Sequence, residues 1–520
     1  MKMNKRILKP VLLAMVNAIL VLSYSCGDEF FNEKAGDRIT PDKHYQTLVD
    51  AQVSLQGAIS PLKEMLPKLI MIDGLRSDMM DITENADADL RSINEHIFNS
   101  GNIYTNPADL YKVIININEV LANIDKISQR DRKFDMIVAP QYKGALIGMR
   151  AWTYLTLSRL YGQVAYIEDN MTSLPDNLQQ KILSREAILD TLINQVKKYI
   201  HDTSAGGVQY EELRIERYVN NKAILGELYL EKNDYPNAVT YLKLACESYL
   251  NGPALLKVDR TYQNAAWSTI FLNAESASIE NISVIPYSSR EGQYNPLSYW
   301  IGKNSLYMAK PSAVLIDSFR VQVPAAGPIG DLYRGNGITF MVDTLARLAD
   351  ETYVTSAYIT KYEVDRLDPF SSDLIVSRAA DIHLMLAEAL NRLGDQNSQN
   401  FALMLLNDGV NRVNPKPAAY TRWASNLGIR GRVYLKPRIV PAELTGMAKT
   451  LFIEDLIMAE RAMELAFEGK RWSDLMRVAQ RRNSPEYLAD KVAAKFTGTP
   501  QYNTVRTRLM NPVNWYLPFN

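Results

Sequence analysis

Cysteine, histidine and net charge are all scarce in this sequence. Its 520 residues include two cysteines and four histidines, and 58 basic residues balance 58 acidic ones. Two cysteines cannot build a disulfide framework, and a nucleic-acid binder usually carries a basic excess. The histidines are scattered without metal-site spacing: His44, His96, His201 and His383. These absences argue against a disulfide scaffold, a nucleic-acid-binding protein and a histidine-based metal centre.

Motifs of catalysis are missing as well. The sequence has no glycine-lysine phosphate loop, no nucleophile elbow and no paired cysteine ligands, so no cofactor or metal is expected. Its hydrophobic share of 47% is ordinary for a globular protein and excludes wholesale disorder and a multi-span membrane protein. Because single cores stop growing near ~250–300 residues, we expect several sub-regions or a stack of repeats.

The first 25 residues have the pattern of a targeting segment. Lys2, Lys5, Arg6 and Lys9 precede an apolar run over 11–22, and Cys26 follows. A cysteine at this position is the acceptor expected for lipoprotein processing, and acyl chains would hold the mature chain on a membrane. The alternative is an ordinary signal peptide with a cysteine nearby by chance.

Apolar residues at three- and four-residue spacing predict most of the body to be helical. Predicted helices run from Thr40-Pro41 to Gly57 and over 110–127, 144–161, 185–199, 375–393 and 399–410. The segment 220–250 fits tetratricopeptide spacing, with the small residues Gly226 and Ala238 where two helices approach closely. One such pair cannot bury its own face, so neighbours must stack on it; an unrelated helical hairpin is the alternative.

Helical periodicity fades over about 251–374. Glycine, proline, serine, asparagine and tyrosine accumulate there, which predicts loops with short strands at 282–286 and 353–359. Similar irregular sequence fills 414–441 and 484–520. The expected division is a signal peptide (1–25), a tethered helical-repeat scaffold (26–250), a loop-rich ligand-binding insertion (251–374) and a C-terminal helical repeat with an irregular closing region (375–520). Residues 26–520 are expected to form one compact unit.

Several blocks spread over the chain resemble the SusD/RagB-like family of outer-membrane nutrient-binding lipoproteins. They are Tyr111 to Leu121, Arg150 to Gly162, Arg378 to Ala389, Glu460 to Arg477 and Asn511 to Pro518. The resemblance implies a mainly α fold of tetratricopeptide-like repeats with long irregular insertions and a few short strands.

The same resemblance implies a binding protein and not an enzyme. Such a protein lies lipid-anchored on the extracellular face of the outer membrane, binds oligosaccharides and delivers them to a SusC-like TonB-dependent transporter. Three alternatives stay open: a peptide-binding RagB-like subunit, an extracytoplasmic glycoside hydrolase, and a tetratricopeptide adaptor that grips a protein tail.

Residues 460–477 are dense in charge of both signs. Glu464 and Glu468 lie one helical turn apart and would repel unless each meets a cation. Arg461, Arg471 and Arg477 are the nearest candidates, and Gly469 is expected to end the helix. We predict a structural network; a catalytic carboxylate pair is the alternative.

Three other features have plain interpretations. Cys246 and His383 fall in apolar helical patterns and are expected to pack in the core. A basic cluster, Arg430, Arg432, Lys436 and Arg438, is expected in a solvated loop, with an anionic ligand or the transporter as its alternative contact.

Aromatic rings stack on sugar faces, and planar polar groups recognise hydroxyls. Two stretches combine such residues and supply the candidate ligand-binding set: Asp73, Arg76, Asp78, Phe98 and Asn99 in the first, and Tyr287, Arg290, Tyr294, Asn295, Tyr299 and Trp300 in the second. The alternative for each aromatic residue is that it packs inward.

Overall fold

A computed structural model describes residues 44–98, 101–134, 138–167, 181–200, 218–247, 267–271, 280–347, 353–363, 368, 370–415, 420 and 423–519. The predicted lipid-anchor residue Cys26 and the candidate Asn99 lie outside these ranges. Within them, no helix is both long and apolar enough to cross a membrane.

The N-terminal half is a series of packed helices. α1 (Leu48–Ile59) begins at Thr47, whose side chain forms a capping box with Asp50. The helices that follow, with one short strand among them, are α2 (Leu62–Arg76), β1 (Met80–Ile82), α3 (Ala88–Asn94), α4 (Ala108–Arg130) and α5 (Val138–Tyr161). The first predicted helix therefore begins later than expected, and α2 was missed because Pro67 interrupts its pattern.

Helical hairpins stack as the tetratricopeptide spacing predicts. After β2 (Gln163–Tyr166), β3 (Lys181–Ser184) and α6 (Arg185–Val196), the pair α7 (Asn221–Glu231) and α8 (Tyr235–Glu247) forms the first hairpin. α8 packs on α11 (Ala379–Leu393), whose partner is α12 (Gln396–Leu406). At Gly226 an added Cβ would lie 2.4 Å from Cγ of Leu242, so the predicted close approach is confirmed.

Short strands and helices alternate in the middle of the chain. They are β4 (Asn281–Ile285), α9 (Pro296–Ile301), β5 (Ala309–Pro311), α10 (Ala313–Arg320), β6 (Phe340–Arg347), β7 (Tyr353–Ile359) and β8 (Leu374–Arg378). The described strands pair antiparallel in four two-stranded sheets: β1–β5, β2–β3, β4–β8 and β6–β7. The two predicted strands are confirmed, but the predicted helix 375–393 was wrong at its start, because 374–378 pairs with β4.

The C-terminal part is more helical than predicted. α13 (Gly446–Glu464), α14 (Arg471–Arg482), α15 (Pro485–Ala493) and α16 (Gln501–Leu509) follow α12. The irregular structure predicted for 484–520 was therefore wrong over α15 and α16. One hydrophobic cluster extends from Tyr45 to Leu517, and a smaller one gathers Trp472, Leu488 and Trp515.

Candidate functional site

Five of the predicted ligand-binding residues are buried in structural contacts. The carboxylate of Asp73 accepts the backbone N–H groups of Arg471 and Trp472 at the start of α14, at 3.2 and 2.8 Å. Asp78 forms a bidentate pair with Arg471, both bonds 2.7 Å long. Both groups are buried and their carboxylate oxygens are occupied by these partners, so the structure gives them a structural role, and their predicted contact with a ligand stays a prediction.

Arg76 is the third buried member of this stretch. Its guanidinium lies 4.1 Å from the ring centre of Trp472 and 5.2 Å from that of Phe98. One nitrogen donates to the backbone oxygen of Trp515 at 2.5 Å. Burial lowers the pKa of Arg76 to about 9, although the charge of Asp73 opposes that shift. Arg76 therefore joins α2 to the C-terminal segment instead of facing solvent.

Tyr287 and Asn295 are buried as well, and both fix the second candidate stretch. The Tyr287 hydroxyl donates to the backbone oxygen of Lys63 on α2 at 2.7 Å. The Asn295 side chain caps α9 by accepting the N–H of Leu297, and its amide donates to the Ser372 oxygen at 2.8 Å. These two side chains therefore position their neighbours.

The neighbours form an exposed surface that we call the aromatic face, consisting of Arg290, Tyr294, Tyr299 and Phe370. The side chains of Tyr294 and Tyr299 are 58% and 49% exposed. Their ring centres lie 6.3 and 6.4 Å from that of half-buried Phe370. The backbone N–H of Asn295 donates to the Phe370 oxygen at 2.7 Å, which holds the two segments together. Three rings are thus gathered on one surface, and exposed Arg290 precedes Tyr294 by four residues in the same segment.

Trp300 lies beside this face but points partly inward. It is half-buried and packs edge-on against Tyr104, with ring centres 5.8 Å apart. Asp368 lies at the other border and accepts the hydroxyls of Ser289 and Ser371, both at 2.5 Å. Although partial burial opposes the shift, these two hydrogen bonds lower the pKa of Asp368, so an anion lies close to Arg290.

Phe98, the remaining described candidate, lines a separate cleft of about 800 Å³. We call it the C-terminal cleft and define it by His96, Phe98, Tyr161, Arg508, Tyr516 and Phe519. The tail is fixed against α5 by a 2.7 Å hydrogen bond from the Leu517 N–H to the Leu160 oxygen. The two candidate stretches therefore do not form one site.

Most of the charged residues of 460–477 are buried in ion pairs. The ion-pair network, as we name it, consists of Glu280, Asp331, Arg334, Lys361, Arg378, Arg430, Arg432, Glu460, Glu464 and Glu468. Glu464 meets Arg334 and Arg378, each at 2.7 Å, and also Arg432. Burial opposes the shift, but these three arginines hold the pKa of Glu464 well below its ordinary value. It is therefore a charged structural group, as predicted.

Two details of that prediction were wrong, and so was the solvated loop predicted for the basic cluster. The partners of Glu464 and Glu468 come from distant segments, whereas Arg461 pairs with Asp381 and Asp474. α13 ends at Glu464, before Gly469. Arg430 and Arg432 of the basic cluster are buried in the network and not solvated, because Glu460, Glu280 and Glu464 neutralise them; only Lys436 is exposed.

The core interpretations of Cys246 and His383 are confirmed. Burial raises the pKa of the Cys246 thiol, which is fully enclosed. His383 is buried edge-on against Trp423, and its Nδ1 lies 2.7 Å from the Ala379 oxygen. Burial lowers its pKa to about 4, so the ring is neutral near pH 7.

Comparisons with known proteins agree with this architecture. Residues 352–519 match the model of the SusD family. "SusD-like protein P38" of Formosa agariphila is 23% identical over 476 residues, which covers 84% of this chain and 85% of the relative. The chain is SusD/RagB-like.

Solved structures share the fold of this SusD/RagB-like chain. A SusD superfamily protein from Bacteroides vulgatus superposes with a TM-score of 0.64 at 17% identity, covering 91% of this chain and 96% of that one. A laminarin-binding SusD-like protein gives a TM-score of 0.62 at 15% identity, with coverages of 88% and 96%. At these identities the likeness shows the fold alone.

Sequence reasoning missed functional candidates that lie far apart along the SusD/RagB-like chain. Phe370 was not singled out, because nothing local indicates that it meets Tyr294 and Tyr299. His96 was noted only for its lack of metal spacing, and Arg508 and Phe519 were not considered. An aromatic ring beside a serine-rich turn was the one available signal for Phe370; the cleft residues had none.

Proposed function

We propose that this SusD/RagB-like protein binds oligosaccharides on the aromatic face and carries out no chemistry on them. The observation that supports it is the gathering of exposed Tyr294 and Tyr299 around Phe370, with exposed Arg290 nearby in the same segment. Rings of this kind offer flat apolar surface to the C–H faces of sugars, and the guanidinium offers donors to their hydroxyls. One protein of the same fold is a laminarin-binding SusD-like protein, and laminarin is a glycan.

The absence of chemistry in this proposal rests on the charged residues near the C-terminal helices. Glycoside hydrolysis needs a carboxyl that holds a proton beside a second carboxylate, both open to substrate. Glu464 and Glu468 are buried, and each is bound to cations: Glu464 to three arginines, Glu468 to Lys361 and Arg378. Incubation with the bound oligosaccharide should therefore release no product, and a released product would contradict this part.

We also propose where the protein lies in the cell and which protein it works with. The sequence pattern before Cys26 supports a lipid anchor on the outer face of the outer membrane, and the family supports delivery to a SusC-like TonB-dependent transporter. Mass spectrometry of the mature N-terminus tests the anchor, where an unmodified Cys26 would contradict it. Co-purification from outer membranes tests the partner, where the absence of any barrel protein would contradict it.

Binding on the aromatic face is tested by removing its two exposed rings. A glycan-array screen identifies a ligand, and calorimetry then compares the protein with a Tyr294→Ala, Tyr299→Ala double variant. We expect affinity to fall at least about tenfold, because each stacked ring contributes roughly 1 kcal/mol or more. Melting should change little, since both side chains are exposed.

The matched control is Tyr434→Asn. Tyr434 is a third exposed tyrosine, outside the face, and asparagine suits its left-handed backbone (φ 55°). This variant should bind normally. An array without any bound glycan would contradict the proposed function, and equal affinities for the double variant and the control would move the site elsewhere.

A further inference from the structure

The wall of the C-terminal cleft has a surplus of positive charge. Arg508 lines the cleft, Arg76 and Lys495 lie behind it near His96, and among the described residues none of the three makes an ion pair. Lys495 donates to Asn94 Oδ1 at 2.7 Å and to the Leu75 oxygen, and Arg508 donates to the Glu95 oxygen at 2.7 Å. Their hydrogen-bond partners are thus neutral oxygens, and the charges of Asp73 on Arg76 and of Asp78 and Asp81 on Lys495 act only from farther away.

His96 adds unfilled hydrogen-bonding capacity to the same wall. It is buried between Phe98 and Trp472, in left-handed backbone at φ 57°. Neither ring nitrogen makes a hydrogen bond of standard geometry to the described residues. Burial and the cations Arg76, Lys495 and Arg508 all lower the pKa of His96, while the Arg76 backbone opposes this weakly. The charged groups acting on the ring are therefore all positive.

Arg76 itself is incompletely satisfied. Its Nε and one terminal nitrogen are enclosed without a partner among the described residues. Buried polar nitrogens that are incompletely hydrogen-bonded are costly to a fold, and each such group in a native structure needs an explanation. An anion held at the mouth of the cleft would supply the missing negative charge.

The opposite walls of the cleft are aromatic. Tyr161 and Phe519 contact each other with ring centres 5.6 Å apart, and Tyr516 lies over Gly162, where an added Cβ would come within 3.0 Å of its ring. The Tyr516 hydroxyl accepts a hydrogen bond from Gln480 at 2.9 Å. Rings beside a half-buried arginine suit a ligand that combines a flat apolar face with a carboxylate.

From this arrangement we propose that the C-terminal cleft binds the carboxylate of an acidic sugar. Arg508 contacts the carboxylate as a charged donor, while Arg76 contributes positive potential from behind and the aromatic walls pack on the sugar ring. The cleft is distinct from the aromatic face, and the proposal names acidic sugars as a ligand class for the glycan-binding function on which it rests.

Glucuronate and glucose form a matched pair of probes, because they differ in the carboxylate. Ligand-observed NMR titration of the full chain should give glucuronate an affinity at least about tenfold above that of glucose, since hydrogen bonds to charged groups are the strong ones. Equal affinities, or no glucuronate binding at millimolar concentration, would overturn the proposal. Inorganic phosphate that binds more tightly than glucuronate would overturn the assignment to a sugar acid.

Arg508→Gln removes the charge and keeps a donor for the Glu95 oxygen. We expect its affinity for glucuronate to fall about tenfold or more. The control, Arg506→Gln, lies on the same helix α16 but pairs with Asp490 at 2.6 Å and does not line the cleft. This control should bind like the unmodified protein, and equal losses in both variants would contradict a role for Arg508.

Two further measurements distinguish misfolding from lost binding, and failure of this inference from failure of the proposed function. If Arg508→Gln fails to fold, Arg508→Lys replaces it, and a retained preference for glucuronate over glucose supports the charge argument while its loss opposes it. A neutral glycan that still binds the aromatic face when glucuronate fails shows that only this inference is wrong. Failure of both ligands would also remove the proposed function.

Discussion

Two regions of this molecule bury arginine in opposite ways. In the ion-pair network every arginine meets at least one carboxylate; Arg378 alone touches Glu280, Glu464 and Glu468 at 2.5 to 2.8 Å. Behind the C-terminal cleft, Arg76 is equally buried but contacts two aromatic rings and one backbone oxygen, without an ion pair among the described residues. The first arrangement neutralises the arginine charge within the fold. The second leaves a positive charge that an anionic ligand can meet.

The difference separates a structural role from a binding role. Removing one member of a closed network leaves its partners buried and unpaired, which costs roughly 3–5 kcal/mol. Removing a cation that has no anion relieves an existing cost and forfeits only its stacking and one hydrogen bond. Burial alone therefore does not show whether an arginine has a structural or a binding role; its partners must be identified as well.

The largest effect is expected from the pair Arg378→Met and Arg76→Met. The first variant removes one cation from three buried carboxylates, each of which keeps another partner, and should lower the free energy of unfolding by roughly 3–5 kcal/mol. The second should change it by at most about 1.5 kcal/mol, the contribution of an ordinary hydrogen bond. Urea unfolding measures both, and losses of equal size would erase the distinction between the two regions.

A neutral replacement inside the network should cost somewhat less. Glu464→Gln keeps the shape but leaves Arg334, Arg378 and Arg432 short of one negative charge, and we expect a loss of about 3 kcal/mol. Asp317→Asn is the control, because its pair with Arg320 is exposed on both sides and should contribute less than ~1 kcal/mol. Calorimetric melting compares them; a Glu464 variant as stable as the control would mean that the network contributes little.

The smallest effect concerns pH and Lys495. Burial lowers the pKa of Lys495 to about 7. Between pH 7 and its ordinary pKa, the unfolded chain binds a proton that the folded chain lacks, so stability should rise with pH. The slope is at most about 1.4 kcal/mol per pH unit.

Lys495→Met should flatten this dependence. Lys361, with a pKa lowered to about 8 by burial, titrates in the same range and is present in both proteins. Urea midpoints measured between pH 7.5 and 9 give the difference. Parallel curves for the two proteins would show that Lys495 is not held in its neutral form at the cleft wall.

The same comparison explains how far sequence reasoning could go. α4, α5 and the α7–α8 hairpin follow apolar periodicity and were predicted, because their burial is hydrophobic. α14, with the sequence RWSDLMRVAQRR, buries Arg471, Asp474 and Arg477 along with its apolar residues. Charged residues on the buried side hide the usual pattern, so the C-terminal helices were underestimated.

The candidate site was harder to predict for a related reason. Composition located the stretch that contains Tyr294 and Tyr299, but not which of its side chains face outward. Asn295 and Tyr287 have the same polar character as their exposed neighbours, yet they are buried as a helix cap and a loop anchor. Partners such as Phe370 and Arg508 come from distant segments, and pairings over that distance follow from the tertiary fold.

Glu464 also holds several irregular segments of the chain in place. The three arginines that it binds precede α11, or come from loops of the middle and C-terminal parts, so each of these segments is fixed at an interior point. Surface portions of the loops can then change length and composition between related proteins while the attachment stays. A recognition surface carried on such loops can change its ligand without redesign of the helices beneath.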